Sequence, residues 1–108
     1  MSYEVHITRA DHWSNSAEKP ITLKDAQNYF ATKTDFEYRP ELLQQTPFGS
    51  MAMGGDFFIW KSEGMKVPFR YQEGRITVSG ADDFAIGRMK EAAHELKAIV
   101  QGDEGEIY

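Results

Sequence analysis

The chain reads as an α+β domain, an antiparallel sheet of about five strands with two helices packed on one face. Three observations predict this. Residues 79–100 carry an apolar stripe at helical spacing, residues 67–78 alternate at period two around Glu73-Gly74, and a helical pattern opens at Thr22 behind a first strand.

Tyr3, Val5 and Ile7 alternate with Glu4, His6 and Thr8, which predicts a strand with one buried face. Asp11 to Pro20 is a polar loop around a lone Trp13, expected to fold back on the core. Thr22 then serves as N-cap, with Asp25 three residues on and Ile21 placed as a staple against Ala26. Leu23, Ala26 and Phe30 form this helix's stripe, with Tyr29 alongside, and it ends near Thr32 or Lys33. Phe36 and Tyr38 before Pro40 make a short extended piece. Pro40 to Asp56 has no sustained period and is expected as a long loop.

Phe57 to Trp60 is a continuous apolar run, so Phe57 and Ile59 face one side of a strand and Phe58 and Trp60 the other. A two-residue turn at Glu73-Gly74 sets Tyr71 opposite Ile76 and Phe69 opposite Val78. Glutamate is a poor first residue for such turns, which leaves a longer loop with a bulge at Gly74 as the alternative. The second helix is read from Ala85, Met89, Ala92, Leu96 and Ile99, widened by Ile86 and Ala93. Its start is marked by Ser79 or Gly80 as cap and by Asp82 and Asp83 in the first turn; His94 and Lys97 match the dipole at its end. A last strand begins in Ala98 to Gln101, and the chain turns through Gly102 to Gly105.

At 108 residues, with 41% hydrophobic and 27% charged, residues 1–108 suit a single domain of ordinary globular usage. The absence of cysteine excludes disulfides, thiolate metal sites and cysteine nucleophiles. No stretch approaches the roughly 20 apolar residues of a membrane span, and no leader pattern opens the chain, so the expectation is a cytoplasmic protein without membrane contact. Twelve basic against seventeen acidic residues give a net charge of -5 with no basic cluster, which argues against a nucleic-acid partner.

No residue pattern assigns a catalytic, cofactor or metal site. His6, His12 and His94 are never three or four apart, Met53-Gly54-Gly55-Asp56 is too short for a phosphate loop, and the acidic tail lacks the ligand spacing of a calcium loop. Two stretches are candidates for interaction. Asp103, Glu104 and Glu106 form an anionic contact for a basic protein partner. Met51, Met53, Phe58 and Trp60 combine adaptable thioethers with aromatics and read either as buried core or as a surface that meets another chain. If both helices cover one face, the other aromatic pair is left open, which predicts a homodimer through Phe58 and Trp60 or a long loop folded over them. The functional expectation is a non-catalytic small acidic protein-interaction module, for which an immunity-type inhibitor is one form; the alternative is a small-ligand-binding protein or enzyme with a pocket under residues 40–56.

The block Arg75-Ile76-Thr77-Val78, then Asp82-Asp83, then Ile99 through Gly102-Asp103-Glu104-Gly105-Glu106-Ile107-Tyr108 resembles the end of a group of short uncharacterised bacterial proteins. These close on a Gly-Asp-(Asp/Glu)-Gly-Glu-(Ile/Val)-Tyr tail. The opening strand and the Ile21-Thr22-Leu23 helix start are similar too, whereas Ala26 stands where a tryptophan is expected. The resemblance implies a bacterial origin and supplies no activity or site.

Overall fold

The computed structural model describes residues 3–108. In chain order it runs β1 (Glu4–Thr8), a 3₁₀ turn (Trp13–Asn15), α1 (Leu23–Ala31), β2 (Phe36–Thr46), β3 (Gly49–Ser62), β4 (Met65–Gln72), β5 (Arg75–Ser79), α2 (Asp83–Leu96) and β6 (Ile99–Gly102). The six strands form one sheet in the order β2-β3-β4-β5-β1-β6, with every pairing antiparallel. The expected class holds, with six strands where about five were expected.

The β2–β3–β4–β5 meander is set by tight turns. Glu63-Gly64 and Glu73-Gly74 each place two successive residues at positive φ, the primed geometry that matches strand twist. Glutamate is therefore tolerated at the first position, and Tyr71 pairs with Ile76 as the two-residue turn requires. Gly74 has a second reason to be glycine. A Cβ there would stand 2.7 Å from the Ser16 carbonyl oxygen and 2.8 Å from Pro20 Cβ, because the 10–20 connection packs on this turn. The Ile21 amide donates to the Gly74 carbonyl and seals that contact.

Both helices lie on one face. α1 begins where Thr22 Oγ1 accepts from the Asp25 amide, as its sequence predicts. For α2 the cap is Asp82, whose side chain accepts from the Ala85 amide, rather than Ser79 or Gly80. The helix also stops earlier than its stripe implies: Lys97 turns left-handed at φ 56, so Ile99 belongs to β6. Ala26 and Phe30 from α1 and Ala85, Met89, Ala92 and Leu96 from α2 meet Val5, Ile7, Phe58, Trp60, Phe69, Ile76, Val78 and Val100 in one core.

Two expectations are corrected here. Phe58 and Trp60 point into this core, at 2% and 6% exposure, so they form no open aromatic face. Phe58 stacks on Phe30, and Trp60 Nε1 donates to Asp35 at 2.9 Å. The opposite pair is covered as well: the Arg70 guanidinium lies over the Phe57 ring, and Ile59 packs beside Pro68 and the outer part of β2. Burial of each such side chain stabilises the fold by about 1.5–3 kcal/mol, which explains why neither pair is left in water.

The second correction concerns residues 40–56, which form no loop. They are the outer halves of β2 and β3, paired from Glu41–Gly54 to Thr46–Gly49 around a turn at Pro47-Phe48. A bulge between Arg39 and Glu41 bends the ribbon where Gly55 and Asp56 oppose one residue, Pro40. The ribbon carries no apolar alternation because most of both its faces is exposed, so the ladder of backbone hydrogen bonds forms without the period that burial would impose.

Candidate functional site

The second sheet face carries a polar network that the alternation of β1 had assigned to solvent. Register places Glu4, His6 and Thr8 on this face; His6 pairs with Thr77 on β5 and with Gln101 on β6. The 3₁₀ turn folds over them, and Trp13 stacks on the His6 ring with centroids 4.4 Å apart. Arg75 lies over the indole in turn, 5.2 Å from its centroid. Trp13 thus folds back onto the sheet face opposite the helices, whereas its sequence position predicts contact with the apolar core. Gln101 fixes the turn by accepting from the Trp13 amide at 2.7 Å and donating to the Asp11 and Gly105 carbonyls.

His6 is fully buried and has a partner at each ring nitrogen, Thr77 Oγ1 at 2.9 Å from Nδ1 and Asp103 Oδ1 at 2.8 Å from Nε2. Burial pushes its pKa below the ordinary value, against the opposing pull of Asp103. The ring is therefore neutral at pH 7, donating from Nε2 and accepting at Nδ1. Burial raises the Asp103 carboxyl, but hydrogen bonds from the Glu4 amide at 2.8 Å and from His6 outweigh it and hold the group below the usual range.

Thr77, His6 and Asp103 stand in the order hydroxyl, imidazole, carboxylate that activates a nucleophile. The surroundings rule out that use. Thr77 is 3% exposed and indole covers the imidazole, so no carbonyl or phosphoryl centre can approach the hydroxyl. The network fastens the tail and the 10–20 connection to the sheet.

The three acidic residues of the expected anionic contact differ in their surroundings. Asp103 is committed to His6 and Glu4, and Glu106 to the hydroxyls of Tyr3 and Tyr108. Tyr3 is pushed up to about 12, chiefly by the Glu106 carboxylate. Glu104 alone of the three keeps its carboxylate outside these contacts. His12 sits in its own loop with Ser14, and His94 is exposed on α2, so the three histidines form no common site.

The other candidate is the arm formed by the outer halves of β2 and β3. β4 pairs with β3 only over Asp56–Ser62, so residues 41–54 form a two-stranded ribbon beyond the sheet. Leu42 opposes Met53 and Gln44 opposes Met51 on one face, while Leu43 opposes Ala52 on the other. Phe48 at the tip is 100% exposed, Leu43 68% and Met51 58%. Of the four residues expected as a contact surface, Met51 and the half-buried Met53 are in the arm, and Phe58 and Trp60 are in the core. Leu43 and Phe48 were missed; their signal was apolar side chains in a stretch with no burial period.

Between the arm and the sheet lies a cavity of about 480 Å³, lined by Pro40, Leu42, Leu43, Ile59, Lys66 and Pro68 among others. On its charged lining Glu37 binds Arg39, and the charge of Lys66 acts on the same carboxylate. A second open groove of about 710 Å³ between the helices holds Arg88, already engaged by Asp35, Tyr29 and Glu91. Among the described residues no helix is long and apolar enough to cross a membrane. Comparison with protein-family models, curated proteins and solved structures found no match to this chain.

Proposed function

We propose that the protein is a non-catalytic interaction module whose contact surface is the β2–β3 arm and whose partner there is a second copy of the chain. The observation that carries this is the arm's architecture. A two-stranded ribbon is marginal in water by itself, and this one exposes Leu43, Phe48 and Met51 on the edge of the sheet. Among the described residues β2 has β3 as its one neighbouring strand, and it offers its outer backbone groups to another strand. The two β2 strands pair antiparallel along residues 41–46, beyond Pro40 and the bulge beside it. A twofold dimer of this kind continues the sheet through both molecules.

Sedimentation velocity on wild type and on Leu43→Lys/Met51→Lys tests the reading. The expected result is a wild-type dimer at tens of micromolar, near twice the 12.3 kDa of one chain, and a folded monomer in the variant. A monomeric wild type, or an unchanged dimer in a folded variant, overturns it.

A further inference from the structure

We infer that Glu4, His6 and Asp103 form a binding site for one divalent transition-metal ion of the zinc type. Glu4 and His6 are two apart on β1 and so share a face, and the next step of the β1–β6 register beyond Val5–Gly102 brings Asp103 beside Glu4. One donor atom from each of the three lies within 4.8 Å of the others. Three residues that are 99 positions apart at their extremes thus converge through strand pairing, which is why sequence spacing shows no motif.

Each of the three residues is hydrogen-bonded to a neighbour. Asp103 Oδ2 accepts from the Glu4 amide, Ser79 Oγ donates to Glu4 Oε2 at 3.1 Å, and Thr77 Oγ1 holds His6 Nδ1. A metal-binding histidine characteristically has its second ring nitrogen hydrogen-bonded in this way. Thr77 suits both states because a hydroxyl can donate or accept. Without metal it donates to Nδ1 while Nε2–H donates to Asp103. With metal, the imidazole proton moves to Nδ1, Thr77 accepts it, and the Nε2 lone pair faces the ion. No net proton is gained or lost from the neutral ring.

An imidazole and two carboxylates favour zinc over magnesium or calcium, and the two negative charges balance a dication. Ligands about 2.1 Å from a tetrahedral ion stand roughly 3.4 Å apart. Asp103 Oδ1 must therefore move away from its 2.8 Å contact with His6, and the half-buried Glu4 must swing inward. The fourth position is left to water. Arg75, whose charge acts on both His6 and Asp103, opposes the ion and limits its affinity.

Calorimetric titration of tag-free, chelator-treated protein with zinc chloride tests the site. One ion per chain is expected, with affinity lowered about 10-fold or more in both Glu4→Gln and Asp103→Asn and unchanged in Glu104→Gln. Glu4→Gln lies at the half-buried start of β1 and guards against loss of fold in the other variant. In two-dimensional ¹H–¹⁵N spectra, His6 is expected to pass from the Nε2–H to the Nδ1–H tautomer on zinc addition. Absence of saturable binding, binding unaffected by both substitutions, or a His6 tautomer that does not respond overturns the assignment.

Discussion

Replacing Arg88 by methionine removes one cation that ties four elements together. Arg88 projects from α2 with a side chain 10% exposed. Its Nε donates to Asp35 Oδ2 at 3.0 Å, its Nη1 to the Tyr29 hydroxyl at 2.8 Å, and its guanidinium lies 4.8 Å from the Phe36 ring centroid. Asp35 also accepts from Trp60 Nε1, so α1, the start of β2, β3 and α2 meet at this point. Methionine keeps the apolar stem and deletes the charge. Hydrogen bonds to a charged group contribute about 1.5–3 kcal/mol each, and breaking a fully buried pair costs about 3–5 kcal/mol. Asp35, however, is 38% exposed, so water replaces part of what it loses. The expected loss is roughly 2–3 kcal/mol, or a fall in Tm on the order of 10 °C. Urea denaturation of Arg88→Met, Asp35→Asn and the double variant should give a coupling energy of about 1 kcal/mol or more. A single-variant loss under about 0.5 kcal/mol, or additivity of the two substitutions, refutes the reasoning.

Leu96→Ala should cost about 2–5 kcal/mol, since Leu96 is 5% exposed at the centre of the α2 stripe, and chemical denaturation reads this directly. Stability should also fall in acid through Asp35. Burial raises its carboxyl, but Arg88 and Trp60 outweigh burial and depress it below 3.8. A depressed folded-state pKa contributes stability that is present above the unfolded value and lost as pH falls through the folded one. Denaturation midpoints measured from pH 5 downward should therefore decline less in Asp35→Asn than in wild type; equal slopes contradict the ion pair.

The elements that bury one face were legible because burial imposes a period. α1 with its Thr22 cap, α2 with its stripe, and the β4–β5 hairpin were read with small errors at the ends. The arm was not, because Leu42 to Met53 forms strands without burying a face, and backbone pairing alone leaves no mark on side-chain order. His6 failed for the opposite reason. Its alternation with Val5 and Ile7 implied solvent, yet Trp13 and the 10–20 connection bury it, and a cover from a loop does not alter the sequence of the strand beneath. The Asp103 cluster was equally hidden, since β1 and the tail meet only through tertiary pairing. Trp13 was the one visible signal, a large apolar side chain in an otherwise polar loop.

The two edges of the sheet receive opposite treatment, and the contrast bears on the arm. At β6 the tail turns back through Gly105. Ile107 bridges to Gln101, the Gly102 amide donates to the Glu106 carbonyl and the Tyr108 amide to the Val100 carbonyl, so Glu106 to Tyr108 occupy the outer side of β6. Gly102 leaves room for the contact between the Glu106 side chain and the Tyr3 hydroxyl, whose ends a Cβ there would meet. A four-residue edge strand is thus covered by the chain's own end. β2, at eleven residues, is the longer edge and among the described residues has no such cover. Pro40 and the bulge beside it interrupt indefinite strand addition, which is how edges are kept from aggregating. An edge that is interrupted, yet lined by Leu43 and Met51 and tipped by Phe48, resists open-ended stacking while still admitting one closed pairing. The twofold association proposed above would satisfy both features, since it would consume the exposed edge of each copy and leave the β6 edges outermost.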